Sequence, residues 1–389
     1  MTWDIFCTVV DNYGDIGVTW RLARQLADEH GLQVRLWVDD LVAFRQIRPE
    51  IDPACDTQLL AGVEVRRWTS PLPDVEPGEV VIEALACNLP EEFIHRMAAR
   101  VNTNLPPPVW LNLEYLSAED WVSGVHGLPS PHPRLPPGLA LTKHFFMPGY
   151  TRQTGGLTRE HWLTAERDAF QAGEKRLLYP FPPHELQSNA LLISLFSYEN
   201  AALPGLLQAW ASGDRPVCVL TPVGKALPQI TAWFGETSNQ PGAVWQRGAL
   251  TLQVLPMLDQ DAYDRLLWHC DINFVRGEDS FVRAQFAARP MLWQAYVQDD
   301  KAHLAKLEAF LDLYCASLDF ATATLTRDFW RAWNSNGTPD QAEVIAALWL
   351  QWLAALPALT AHARVWDQQL AEQPDLATNL LTFSRKWLK

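Results

Sequence analysis

Positive charge is scarce in this sequence. Lys and Arg number 31 against 45 Asp and Glu, a net charge of −14 over 389 residues. That balance excludes general nucleic-acid binding through a basic surface. There is no Walker-type phosphate loop, no complete GxGxxG fingerprint and no GxSxG elbow, which speaks against kinase, dehydrogenase and hydrolase chemistry. No CxxC pair occurs either. The six cysteines (Cys7, Cys55, Cys87, Cys218, Cys270, Cys315) are scattered, two of them inside apolar runs, so they read as reduced structural thiols. Asp4 interrupts the N-terminal apolar run and no basic segment precedes it, so no secretory signal is expected. The stretch nearest to a membrane span, Val344–Leu359, is broken by Gln351 and Pro357 and is shorter than the ~20 residues a span needs. It reads as a buried helix, and the expectation is a soluble cytoplasmic protein with no membrane contact.

Tryptophan, by contrast, is abundant: 18 residues, most of them expected to pack cores, with a minority free to stack on a ring-bearing ligand. The length suffices for two domains with separate cores. In the first half, apolar runs at Trp3–Val10, Val34–Val38, Val63–Trp68, Val80–Leu85 and Val109–Leu113 alternate with helical stretches, and Leu139–Phe145 offers a further strand. This is the pattern of a mainly parallel sheet. A helix over Arg159–Gln171 is expected to end at Gly173, before Pro180, Pro182 and Pro183. A second series follows at Ala190–Phe196, Val217–Leu220, Leu250–Leu255, Ile272–Val275 and Met291–Tyr296. From Lys301 the chain is helical, with a last helix over about 360–389 lying back on the first domain. The expected fold is α/β: two Rossmann-like domains facing a cleft, 1–172 with that last helix, and 173–359.

Two loops stand where open α/β sheets bind ligands, after a strand and before a helix. The first is Asp11-Asn12-Tyr13-Gly14-Asp15-Ile16-Gly17, with two carboxylates four residues apart. Asp11 and Asp15 can serve as acid, base or cation holder, while Asp15 can equally cap a helix beginning near Gly17. No His or Glu stands at ligand spacing nearby, so no metal is expected. Asp39-Asp40 is a strand-end pair with no partner in sequence, and the histidines assemble into no site. The second loop is Arg276-Gly277-Glu278-Asp279-Ser280. A helix N-terminus there, with Ser280 as its cap and Arg276 beside it, suits a diphosphate. Glu278 and Asp279 either complement the helix dipole or point at sugar hydroxyls and developing positive charge. Phe196 and Tyr198 end the first strand of the second series, where they either stack on a nucleobase or pack at a rim.

Longer stretches carry a resemblance. Trp3–Cys7, Asp11–Leu26, Arg35–Asp40, Leu111–Glu119, Phe196–Glu199 and Asn273–Gln285 resemble the bacterial protein-arginine rhamnosyltransferases that modify elongation factor P, the EarP family. The resemblance runs over nearly the full length. It implies an inverting glycosyltransferase of GT-B architecture, with the N-terminal domain on the acceptor side and the C-terminal domain binding the donor. The enzyme would move L-rhamnose from dTDP-β-L-rhamnose to an arginine guanidinium of elongation factor P, without a cofactor or metal. By the same resemblance Asp11, Asp15 and Glu278 match the carboxylates tied to activity. Phe196 and Tyr198 match thymine contacts, and Arg276, Gly277, Asp279 and Ser280 match donor-loop contacts. Tyr13, Gly14, Gly17, Gln260 and Tyr263 are further expected substrate contacts, whereas Met257 stands where an aromatic is expected. Two alternatives are a GT-B enzyme with another acceptor and a non-catalytic protein that binds elongation factor P.

Overall fold

The computed structural model describes residues 1–10, 13–100, 106–131, 141–173, 189–298, 301–335 and 341–388. Within it the chain divides into two units, Met1–His161 with Ala371–Lys389, and Trp162–Leu370.

The first unit is built on β1 (Thr2–Cys7), β2 (Gln33–Val38), β3 (Thr57–Leu60), β4 (Val63–Arg67), β5 (Val80–Ala84), β6 (Val109–Leu113), β7 (Pro129–Pro131) and β8 (Thr142–Phe146). Their spatial order is β3-β4-β2-β1-β5-β6-β8-β7. Helices α1 (Gly14–Asp28), α2 (Leu41–Ile47), α3 (Glu91–Ala99) and α4 (Trp121–Val125) lie between strands. The central pairs are parallel, while β3 and β7 add antiparallel edges. Because helices cover a parallel sheet on its faces, β5 and β6 are buried at every position and are mostly apolar, each with one buried polar residue, Glu83 and Asn112. On one face Phe6, Trp37 and Phe93 pack together, Phe6 lying parallel to Trp37 at 5.4 Å. At the opening of the sheet Asp4 is fully buried and still satisfied. It accepts a two-pronged bond from Arg35 (2.7 and 2.6 Å), the indole N–H of Trp37 and the Gly78 N–H.

The second unit repeats the plan. It opens with α5 (Leu163–Ala172), and its strands are β9 (Leu191–Leu195), β10 (Val217–Pro222), β11 (Val244–Arg247), β12 (Leu250–Leu255), β13 (Ile272–Arg276) and β14 (Met291–Gln294). They lie in the order β11-β12-β10-β9-β13-β14, with only the β11–β12 pair antiparallel. The intervening helices are α6 (Leu203–Ser212), α7 (Leu227–Phe234), α8 (Gln260–His269) and α9 (Asp279–Phe286). Then come α10 (Ala302–Tyr314), α11 (Phe320–Asn334), α12 (Gln341–Ala354) and α13 (Leu356–Ala371). Much of the tryptophan excess is spent here. Trp210, Trp330, Trp333, Trp349 and Trp352 are fully buried; Trp210 and Trp333 meet Phe274 of β13 edge-on, and Trp210 meets Trp349 of α12 in the same way. Gly205 lets α6 and α12 approach closely, since a Cβ there would lie 2.3 Å from the Ala342 carbonyl oxygen. Arg167 of α5 reaches Asp367 of α13 at 2.6 Å, both side chains buried.

Several elements differ from the sequence reading. The helix expected over Arg159–Gln171 begins at Leu163. Arg159 bonds the Gln373 carbonyl and Glu160 faces Arg24 and Arg21 instead, which holds both residues to the first unit. The last helix is two helices. Pro374 cannot continue α13, and Asp375 caps α14 (Leu376–Trp387) by accepting from the Thr378 N–H and hydroxyl. Gln25 of α1 also donates to Asp375 at 3.1 Å, so α14 returns to the first unit. Val344–Leu359 is likewise broken, at Ala355, with Ile345, Trp349, Trp352 and Leu359 buried. Among the described residues no single helix is long and apolar enough to cross a membrane. The proline-rich segment at Pro180–Pro183 and the start of the expected strand at Leu139 lie outside the described residues.

Candidate functional site

In the first unit the carboxyl end of β1 leads into α1, and Asp15 sits in that helix's first turn. Its role is not that of a cap. The N-cap residue is Tyr13, which makes no side-chain capping bond. The Asp15 carboxylate instead accepts from the Val10 N–H at 2.9 Å and from the Tyr115 hydroxyl at 3.2 Å. The side chain is thus held between the end of β1 and the segment after β6, at 1% exposure. Tyr13 and Gly14 are half-buried and Gly17 is buried, its N–H donating to the Tyr13 carbonyl at 2.8 Å. Asp11 and Asn12 lie outside the described residues. The neighbouring acids Asp39 and Asp40 do have partners: Asp39 accepts from Val9, and Asp40 caps α2 through the N–H groups of Val42 and Ala43. Tyr115 is the residue that the sequence did not single out. It lies a hundred positions from Asp15, and no local spacing links them.

In the second unit β13 delivers Arg276 to the end of the sheet, where Gly277 turns the chain at φ +63°, a conformation that suits glycine. Helix α9 starts two residues later. Arg276 is only 6% exposed, yet its guanidinium lies between two rings, 4.5 Å from the Phe196 centroid and 4.4 Å from that of Tyr198. Its Nη1 is buried with no hydrogen-bond partner among the described residues. Water has been excluded from a cationic donor group that no protein acceptor fully satisfies, an arrangement that favours an anion. The rings therefore serve first as the walls of an arginine clamp.

The rest of the loop is fixed around that clamp. Ser280 does not cap α9; its hydroxyl donates to the Arg276 carbonyl and accepts from the Arg276 N–H. The N-cap position falls to Glu278, which makes no capping bond. Asp279 accepts from the Gln260 side-chain amide at 2.8 Å, which gives that carboxylate a neutral neighbour. Tyr263 meets Phe196 edge-on at 5.6 Å. Burial pushes its phenol pKa well up, with Ser280 pulling the other way, so it is a neutral hydroxyl. Tyr296, 53% exposed, stands edge-on to Tyr198 at 5.6 Å and adds a ring that the sequence reading did not name. Phe196, Tyr198, Gln260, Tyr263, Arg276, Gly277, Asp279 and Ser280 are thus brought together. Among the described residues no group of three or more His, Cys, Asp or Glu side chains is placed to hold a metal ion.

Comparison with known proteins gives this arrangement a family. The model described as Elongation-Factor P (EF-P) rhamnosyltransferase EarP matches residues 3–385. A protein-arginine rhamnosyltransferase of Pseudomonas putida KT2440 is 53% identical over 393 residues, covering 100% of this chain and 99% of the relative. Its namesake in Pseudomonas aeruginosa PAO1 is 48% identical, covering 100% of both. A solved structure that gives the basis for EarP-mediated arginine glycosylation of translation elongation factor EF-P is 37% identical. It superposes with a TM-score of 0.68 and covers 99% of each chain. The resemblance read from the sequence holds end to end, and the chain belongs to the EarP family of rhamnosyltransferases, with the two Rossmann-like domains of the GT-B glycosyltransferase fold.

Proposed function

We propose that this arginine rhamnosyltransferase takes L-rhamnose from dTDP-β-L-rhamnose and places it, with inversion, on a guanidinium nitrogen of one arginine in translation elongation factor P. The observation that carries the reading is Arg276, a buried guanidinium with an unpaired N–H at the entrance to α9. A nucleoside diphosphate supplies what that group lacks, because its oxygens pair with a planar guanidinium and with the N–H groups of a helix N-terminus. On this reading Phe196 and Tyr198, with Tyr296 beside them, provide the aromatic surface for the thymine. Gln260, Tyr263, Gly277, Asp279 and Ser280 shape the donor loop.

The acceptor chemistry falls to the first unit. A guanidinium is cationic and a poor nucleophile, with a pKa above about 12. A carboxylate that holds it localises its charge and takes a proton as the bond forms. Asp15 is the base in this scheme, kept in orientation by Val10 and Tyr115. Asp11 orients the guanidinium together with Tyr13 and the first residues of α1, Gly14 and Gly17, and Glu278 positions the donor. The nitrogen attacks the anomeric carbon on the face opposite the diphosphate. The C–N bond forms, the bond to the diphosphate oxygen breaks, the proton passes to Asp15, and dTDP leaves with its charge held by Arg276 and α9. No metal enters the scheme, and the setting is the cytoplasm, where its acceptor works.

A titration of tryptophan fluorescence tests the donor half. dTDP-β-L-rhamnose should quench it and UDP-glucose should not. Asp15→Asn should bind the donor as wild type does and lose turnover, and EDTA should leave wild-type turnover intact. Equal binding of both nucleotides would point to another donor, and near wild-type turnover by Asp15→Asn would remove Asp15 as the base.

A further inference from the structure

The arginine clamp needs something to hold Tyr198 over Arg276, because the two residues come from different segments. We infer that Gln294 is the positioning residue that sets this stack, and through it the affinity for the donor. The inference rests on the reading of Arg276 as the diphosphate site.

Gln294 ends β14 and pairs in register with Arg276 of β13, so its backbone is part of the ladder that carries the guanidinium. Its side chain, 6% exposed, turns to the other half of the clamp. The amide oxygen accepts the Tyr198 N–H at 2.9 Å, and the amide nitrogen donates to the Glu199 carbonyl at 3.2 Å. One residue therefore ties Arg276 to the segment whose ring covers it. The tie is itself fixed. Asn334 of α11 donates to the Trp293 carbonyl at 2.8 Å and accepts from the Ala295 N–H at 2.9 Å, which brackets Gln294 on both sides. Trp293 lies almost parallel to Phe281 of α9 at 4.2 Å, and its indole donates to the Gly277 carbonyl at 2.7 Å. The far side of the Tyr198 segment is held by Gln229, which exchanges two bonds with the Asn200 backbone. The residues that hold this segment, Gln294 and Gln229, are neutral amides, as is Asn334, which holds Gln294 in place. A Lys or Glu of similar reach would tether the loop but add a full charge beside a diphosphate, where charge strongly alters binding. An amide gives geometry without charge.

The test is a double-mutant cycle in full-length enzyme between Gln294→Met and Tyr198→Ala, with dTDP-β-L-rhamnose and elongation factor P as substrates. Gln294→Met keeps the side-chain length and removes both hydrogen bonds, so the donor KM should rise about tenfold. The acceptor KM and kcat should stay within about twofold of wild type, since the stack is assigned to donor binding. In the Tyr198→Ala background the same substitution should change the donor KM by less than about twofold, because there is no ring left to position. Gln294→Asn, shorter and still a neutral amide, should act in the same direction and serves if the Met variant does not fold. Additive effects in the cycle, or equal losses in kcat and both KM values, overturn the inference while leaving the donor site standing. Wild-type enzyme that does not bind dTDP-β-L-rhamnose overturns the donor site itself.

Discussion

Replacing Arg283 with Met should melt the second unit well before the first. Arg283 lies in the last turn of α9 and holds Asp264 of α8 with two parallel bonds, 3.1 and 2.6 Å long. Both side chains are essentially excluded from solvent, at 1% and 2% exposure. Loss of the guanidinium leaves a carboxylate buried without its counter-ion, which costs about 3–5 kcal/mol. At roughly 2–4 °C per kcal/mol for a domain of this size, the transition of that unit should fall by roughly 6–20 °C. Scanning calorimetry with bound and free nucleotide identifies which transition moves. Adding Asp264→Leu to Arg283→Met should recover most of the loss, since an apolar pair of similar volume replaces a buried ion pair at little net cost. A drop of less than roughly 2 °C in the single variant, or a double variant no more stable than the single, would refute the reasoning.

Three further outcomes are expected of this structure. Arg276→Lys keeps the charge but not the planar group between Phe196 and Tyr198, so the donor KM should rise about tenfold or more with the acceptor KM unchanged. A Lys variant with wild-type kinetics would mean that the stacked geometry is unused. Thiol labelling of the native protein at pH 8 should modify Cys55 alone, and slowly, because Asp52 raises its pKa. Burial silences the others: it lifts Cys7 and Cys87 well above the usual thiol range, Cys218 to about 12 and Cys315 to about 11. Rapid labelling of two or more thiols would contradict this. Burial also lowers the pKa of His126 and of His362. The unfolded chain takes up those protons as pH falls below about 6.5 while the folded chain resists, so stability present above that pH should be lost progressively as pH falls below it. A urea midpoint that is unchanged or higher at pH 5.5 than at 7.5 would contradict the sign, and His362→Gln should lessen the slope.

The sheets were legible because their central strands are buried on both faces and so are dominated by Val, Ile and Leu, as in Val80–Ala84 and Leu191–Leu195, each with a single polar residue, Glu83 and Ser194. The antiparallel edges β3, β7 and β11 were not. Thr57–Leu60 and Val244–Arg247 are partly exposed, and no apolar run distinguishes them from loop. The break in the C-terminal helix was written at Pro374, but helical periodicity on both sides masked it. At the site, Arg276 and its loop were visible because charge and glycine follow an apolar strand. The clamp was not, since Phe196, Tyr198 and Arg276 meet only when β9 pairs with β13. Tyr115, Gln294 and Asn334 are still harder to see. They are neutral polar residues whose partners lie 100, 96 and 41 positions away, and nothing in their neighbourhoods marks them.

The most direct test is the intact mass of unmodified elongation factor P after incubation with the enzyme and dTDP-β-L-rhamnose, without added metal. The account predicts a gain of one deoxyhexose, located on one arginine and lost with Asp15→Asn. An acceptor whose mass does not change, with enzyme that still binds the donor, would contradict the proposed acceptor.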